Sequence, residues 1–218
     1  MKEVNLFDIL GPVMIGPSSS HTAGAVRLGN IAAMIYNKKI TRVDFYLHGS
    51  FANTYKGHGT DLALVAGILG LKTYDEKIVD AFSLADEEGL AFSFYRKDLG
   101  YVHPNTVRIV FDENFSVTAS SLGGGRVEII DINGTEVSLQ GDYPTLVLQY
   151  EDKLGIIQEV SALIAATGVN IAAMKVTRQR KHATMVLELD GKINKETFES
   201  LKVLGLNYLA SVGAVEEK

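Results

Sequence analysis

Apolar residues recur along this chain with two periods, and the changes between them mark its elements. From Thr22 to Asn37, the small and apolar positions Ala25, Leu28, Ile31, Ala32 and Ile35 fall at helical spacing. The Lys38-Lys39 pair just beyond suits the negative end of a helix. Val43, Phe45 and Leu47 alternate with Asp44, Tyr46 and His48, which predicts a strand running through to Gly49. An apolar helix follows over about Leu62 to Leu69, and a helical pattern with a strongly acidic end runs from Glu76 to Glu88. Val107–Phe111, Phe115–Ser121 and Val127–Asp131 read as strands; Gly123-Gly124-Gly125 parts the last two, and Asn133-Gly134 signals a hairpin. Ahead of these, Val4–Ile15 reads as a short helix, a Gly11-Pro12 turn and an extended approach.

The pattern changes after Gly141. Thr145–Tyr150 is a strand, and Ile156, Val160, Leu163 and Ile164 define a helix closing at Gly168. Val169–Arg178 and Ala183–Leu189 are strands joined by the basic turn Arg178–His182, a solvated hairpin tip. A last helix over about Lys195–Leu204 precedes a strand near Tyr208–Val212. The order βαββαβ is that of a ferredoxin-like unit. The fold class is therefore α+β, with an N-terminal α/β domain over 1–141 and a second domain over 144–218.

Composition narrows the partners. At 46% hydrophobic and 22% charged residues, the chain is an ordinary globular protein able to bury a core. A net charge of −5 without a basic stripe argues against nucleic acid. No apolar run reaches the roughly 20 residues that a membrane span needs, and no signal peptide is visible, so the expected location is cytoplasmic. Zero cysteines exclude a disulfide, a thiolate nucleophile and any metal or iron–sulfur site held by this chain's own thiolates; no metal ligands are assigned. Neither a Gly-x-Gly-x-x-Gly after a strand nor a Walker sequence is present.

The candidate chemistry lies in three loops. Ser18, Ser19, Ser20, His21 and Thr22 follow a Gly16-Pro17 turn and open the first long helix. Any one of them alone reads as an N-cap; the run together reads as an anion-binding site, where hydroxyls and free backbone N–H groups meet a carboxylate or phosphate. The second loop, Tyr55-Lys56-Gly57-His58-Gly59-Thr60-Asp61, sets a histidine between glycines beside a cation, a hydroxyl and a carboxylate. A surface histidine is one reading; a proton-transfer group is the other, and its neighbours favour it. The third is the His103-Pro104-Asn105 turn, for which a plain hairpin lead-in and a functional role both stand open.

Gly16–Thr22 with Lys56–Asp61 and His103–Asn105 resembles the beta-chain family of bacterial iron–sulfur L-serine dehydratases. The first domain is also similar to the allosteric substrate-binding domain of some phosphoglycerate dehydrogenases, and the segment from Pro144 resembles an ACT domain. The resemblance implies a lyase subunit, active only with a separate alpha chain, that turns L-serine into pyruvate and ammonia. It implies a 4Fe–4S cluster held by that alpha chain, with one open iron acting as a Lewis acid on the substrate hydroxyl. In that setting His58, His21 and His103 are the catalytic candidates, with His58 first for proton transfer. Ser18, Ser19, Ser20, Thr22, Lys56, Thr60, Asp61 and Asn105 are the substrate-binding candidates, the hydroxyls holding the serine carboxylate. The ACT likeness points to Gly155, Ile156, Asn170 and Ile171 as effector-binding positions. Tyr150 stands where the regulatory domains carry histidine and Leu154 where they carry proline, so self-association through the ACT sheet is the alternative there. A reading from another class is a stand-alone amino-acid sensor without catalysis; histidine-bearing loops favour the lyase.

Overall fold

The computed structural model describes residues 13–112 and 114–214. The helix and turn expected over Val4–Ile15 lie outside the described residues, except for 13–15. Two compact units divide at Gly134/Thr135.

In the first unit, a π-helical turn over Ser19–Ala23 runs into α1, Gly24–Tyr36. Its buried face is Ala25, Leu28, Ile31, Ala32 and Ile35, the positions the helical period picks out. Asn37 closes it in the left-handed conformation with φ 53°. The strand β1, Arg42–Leu47, buries Val43, Phe45 and Leu47. The chain then departs from expectation: Gly49–Thr54 forms a short helix, α2, so the strand ends at Leu47. Gly49, at φ 54°, makes the break, and a Cβ there would press on Pro104. Next come α3 (Thr60–Ile68), a 3-10 turn over Glu76–Asp80, and α4 (Ala81–Glu87). The helical pattern from Glu76 to Glu88 is thus two pieces, capped at the start by the Asp75 side chain.

The strand β2, Ala91–Arg96, has no counterpart in the sequence reading. It is an edge strand lying parallel to β1, with Phe94 stacked on Phe45 at 4.8 Å between centroids. An edge strand has one bare side, so its exposure alternates weakly and gives a weak period. Antiparallel strands continue the sheet on the other side of β1: β3 (Thr106–Phe111), β4 (Phe115–Gly123) and β5 (Arg126–Ile132). Gly124-Gly125 turns β4 back into β5, so the three glycines make the hairpin they were read as interrupting. The first unit's strands run in the order β2-β1-β3-β4-β5, and the Asn133-Gly134 turn leads to β6, Thr135–Leu139, with which the second unit begins.

The second unit contains β7 (Thr145–Glu151), α5 (Ile156–Ala165), β8 (Ile171–Gln179), β9 (His182–Leu189), α6 (Lys195–Lys202) and β10 (Tyr208–Val212). Its sheet runs β10-β7-β9-β8 with every neighbour antiparallel, the ferredoxin-like arrangement. Ile156, Val160 and Ile164 of α5 and Phe198 and Leu201 of α6 close its core against Leu146, Leu148, Met185 and Leu187. Among the described residues, no helix is long and apolar enough to cross a membrane.

Candidate functional site

The serine run sits where α1 begins. Ser18 is extended, and its Oγ accepts from the His21 backbone N–H at 3.1 Å, which caps the π-helical turn. One hydroxyl does the capping, and the others are left for different partners. Ser20 Oγ pairs with His21 Nδ1 at 3.1 Å and lies 3.3 Å from Ser18 Oγ. Ser18 to His21 keep partial exposure, with Ser19 among them, whereas Thr22 is buried.

Two other segments are fastened to this turn. Ser121, beside an irregularity in the β4–β5 pairing, donates from Oγ to the Ser20 carbonyl at 2.9 Å. Gly24 permits that approach: a Cβ there would collide with Ser121 Oγ. Thr22 donates from Oγ1 to the His58 carbonyl at 3.3 Å. Its hydroxyl therefore ties two loops together.

These ties bring the two histidine loops into one place. The His21 and His58 rings lie 4.9 Å apart, and the Phe51 ring meets His21 edge-on at 5.3 Å. On its far side, His21 Nε2 pairs with Ser50 Oγ of α2 at 3.1 Å. Both imidazole nitrogens of His21 thus face hydroxyls, and in the neutral ring one nitrogen donates while the other accepts. Burial first, and the facing His58 second, hold the His21 pKa below its ordinary value. Among the described residues, no hydrogen bond engages the His58 ring.

The remaining positions divide. Lys56 is exposed, its ammonium 6.0 Å from the Tyr55 ring centre. Asp61 accepts from the Leu62 N–H at 3.0 Å in the first turn of α3; burial raises its pKa, against those backbone bonds and the Lys56 charge. Thr60 is fully buried and its Oγ1 has no partner. Asn105 is half-buried with a buried Oδ1 that also lacks a partner. Its carbonyl accepts from Ser121 N–H at 2.9 Å, and the Pro104 carbonyl accepts from Ser50 N–H at 2.8 Å. The third loop therefore closes on the same cluster. His103 itself is exposed, and its Nδ1 accepts from the Asn105 N–H within the turn at 3.1 Å.

Ser50, Phe51 and Ser121 belong to the site and were absent from the sequence reading. Ser50 follows the strand in a stretch for which the sequence predicts no element, and the helix α2 turns it toward His21. Nothing in the pattern around Ser121 signals its reach to Ser20. Among the described residues, no three His, Asp or Glu side chains gather as a metal would need, and the chain has no cysteine.

In the second unit, Gly155 takes φ 94° ahead of α5, and Ile156 is buried in the core. Asn170 is exposed, with Nδ2 donating to Asp190 at 2.9 Å, and Ile171 opens the edge strand β8.

Comparison with known proteins agrees with the motif. The family described as "Serine dehydratase beta chain" matches residues 5–89. The "L-serine dehydratase, beta chain" of Peptoniphilus asaccharolyticus is 41% identical over 223 residues, covering 99% of this chain and 100% of that protein. The "Probable L-serine dehydratase, beta chain" of Bacillus subtilis is 40% identical over 209 residues, covering 94% and 95%. Among solved structures, an "ACT domain protein from Streptococcus pneumoniae" is similar at 24% identity, covering 32% of this chain and 89% of that one; its TM-score of 0.26 carries no argument. With likeness extending over nearly the whole length of two beta chains, this chain belongs to the serine dehydratase beta chain family.

Proposed function

We propose that this chain is the beta subunit of an L-serine dehydratase, forming pyruvate and ammonia from L-serine together with an alpha chain. The observation that carries the reading is the contact of the His21 and His58 rings at 4.9 Å, beside the Ser18 and Ser20 hydroxyls. A base, a set of hydroxyl groups and a helix start lie together at a partly exposed surface. That is what a carboxylate-bearing substrate needs when the rest of its site is supplied from outside.

In this reading Ser18, Ser19 and Ser20 receive the serine carboxylate, and Asn105, with its unpartnered Oδ1, receives the ammonium group. His58 moves the α-proton; of the three candidate histidines it is the one whose ring no hydrogen bond engages among the described residues. Loss of that proton and of the β-hydroxyl, as water, leaves an enamine, which hydrolyses to pyruvate and ammonia. His21 fixes Ser20 on one side and Ser50 on the other. Lys56, Thr60 and Asp61 hold the His58 loop, and His103 lies at its rim. A 4Fe–4S cluster does not fit this chain's own donors, since it has no thiolate. The reading therefore leaves the cluster with the alpha chain and routes no step through these residues to it. The complex is taken to be cytoplasmic, and the second unit to be an ACT domain that associates with its copy or takes an amino acid at Gly155, Ile156, Asn170 and Ile171.

The test is His58→Ala in the complex assembled with its alpha chain. Turnover should fall by at least ~100-fold, the low end for general acid–base catalysis. Unchanged turnover removes His58 from the mechanism. A His103→Ala variant, at an exposed position, should cost far less.

A further inference from the structure

Ser121 is fully buried and belongs to none of the three polar loops, yet it joins two of them. It stands on β4 just before an irregularity in the β4–β5 pairing, the kind of place where a strand re-aims a side chain. Its two donors serve different segments. The backbone N–H donates to the Asn105 carbonyl at 2.9 Å, and the hydroxyl donates to the Ser20 carbonyl, also at 2.9 Å. One residue thus bridges the His103-Pro104-Asn105 turn and the serine run.

Both ends of the bridge are built around these bonds. The π-helical turn sends the Gly24 N–H back to the Ser19 carbonyl, where an α-helix would send it to that of Ser20, and Ser121 meets the carbonyl passed over. Gly24 leaves room for it, since a Cβ there would stand 2.1 Å from Ser121 Oγ. At the other end, Ser120 Oγ lies 2.7 Å from Thr106 Oγ1. Thr106 donates its single proton to the His103 carbonyl at 2.6 Å, so Ser120 is the donor in that pair. Two adjacent residues of β4 therefore hold the third loop, and the second of them also holds the serine run.

We infer that Ser121 is a positioning residue for substrate recognition. It sets the spacing between the Ser20 turn, which takes the carboxylate, and Asn105, which takes the ammonium group; the inference rests on the function proposed above. An α-amino acid carries those two charges at one separation whatever its side chain, and a site that reads both must hold its own groups to match. Ser121 is buried and acts only through Ser20 and Asn105. His58 is fastened separately, through the hydroxyl of Thr22. Loss of the Ser121 bridge therefore weakens the hold on substrate in the ground and transition states alike, and it leaves proton transfer in place.

Steady-state kinetics of the complex assembled with its alpha chain tests this, with Ser121→Ala and Gly24→Ala as independent lesions. The first removes the hydroxyl; the second pushes it off the Ser20 carbonyl with Ser121 still present. Each should raise KM for L-serine at least ~10-fold while kcat stays within about 3-fold of the parent, the pattern of lost uniform binding. Should Ser121→Ala fail to fold by urea unfolding, Gly24→Ala decides alone. A loss that falls on kcat instead, or unchanged kinetics, overturns the role. A parent complex that does not turn over L-serine removes the functional reading and this inference together, whereas an active parent with variants that match it removes the inference only.

Discussion

His21 is the residue on which the arrangement turns. It is held by Ser20, Ser50, Phe51 and His58 at once, and its depressed pKa follows from that enclosure. A folded pKa below the unfolded value means that the unfolded chain binds more protons at acid pH. The contribution to stability is complete above the ordinary 6.5 and is lost as pH falls through that value toward the folded one. Unfolding by urea should therefore become easier on the acid side of 6.5, and His21→Gln should flatten that part of the profile. An unchanged acid slope in the variant would remove the enclosure argument. The Ser-Ser-Ser-His-Thr run stands out in the sequence as a candidate anion site, because a cap needs one hydroxyl and the run holds more. The role of Thr22 is not legible there: its hydroxyl meets the carbonyl of a residue 36 positions away, and only folding makes that pair.

At the scale of elements, the crossing of α1 and α3 sets the distance between the serine run and the His58 loop. Gly29 and Gly67 meet at the crossing; a Cβ on Gly29 would stand 2.6 Å from the Leu64 carbonyl oxygen and 2.9 Å from Gly67 Cα. Gly67→Ala should then cost about 1–3 kcal/mol, the range for overfilling a packed contact, as read from urea unfolding. A variant as stable as the parent would show that the helices can part freely. The 13-residue α1 was readable because it has one buried stripe. The six-residue α2 and the edge strand β2 were not. α2 is too short to show a period, and β2 is covered too little for its side chains to alternate. α2 presents Ser50 to His21, so the part of the site that escaped the sequence is the part that helix carries.

At the scale of the molecule, each unit has its own core, and the second presents β8 at the edge of its sheet with Ala172, Ala173 and Met174 exposed. The small and apolar residues at its start suit pairing with a copy of the chain, whereas Lys175, with Nζ 3.8 Å from Glu136 Oε1, is the usual protection further along. If the second unit self-associates there, Ala173→Lys should shift sedimentation of the full chain from dimer to monomer. A dimer that persists places the contact elsewhere, and a monomeric parent chain removes the idea. The ferredoxin-like order of this unit was legible because its helices each bury one stripe and its strands β7 and β9 are short apolar runs buried in the core.

By itself the sequence determined the elements with one buried face and the family, and it singled out three polar loops as candidates for the chemistry. Each is recorded locally, as a period or as a run of neighbouring residues. Only the tertiary structure decided which loops meet, that both nitrogens of His21 are engaged, and that Thr22 serves the His58 loop. Those facts depend on contacts between residues tens of positions apart, and sequence spacing does not encode distance once the chain has folded back on itself.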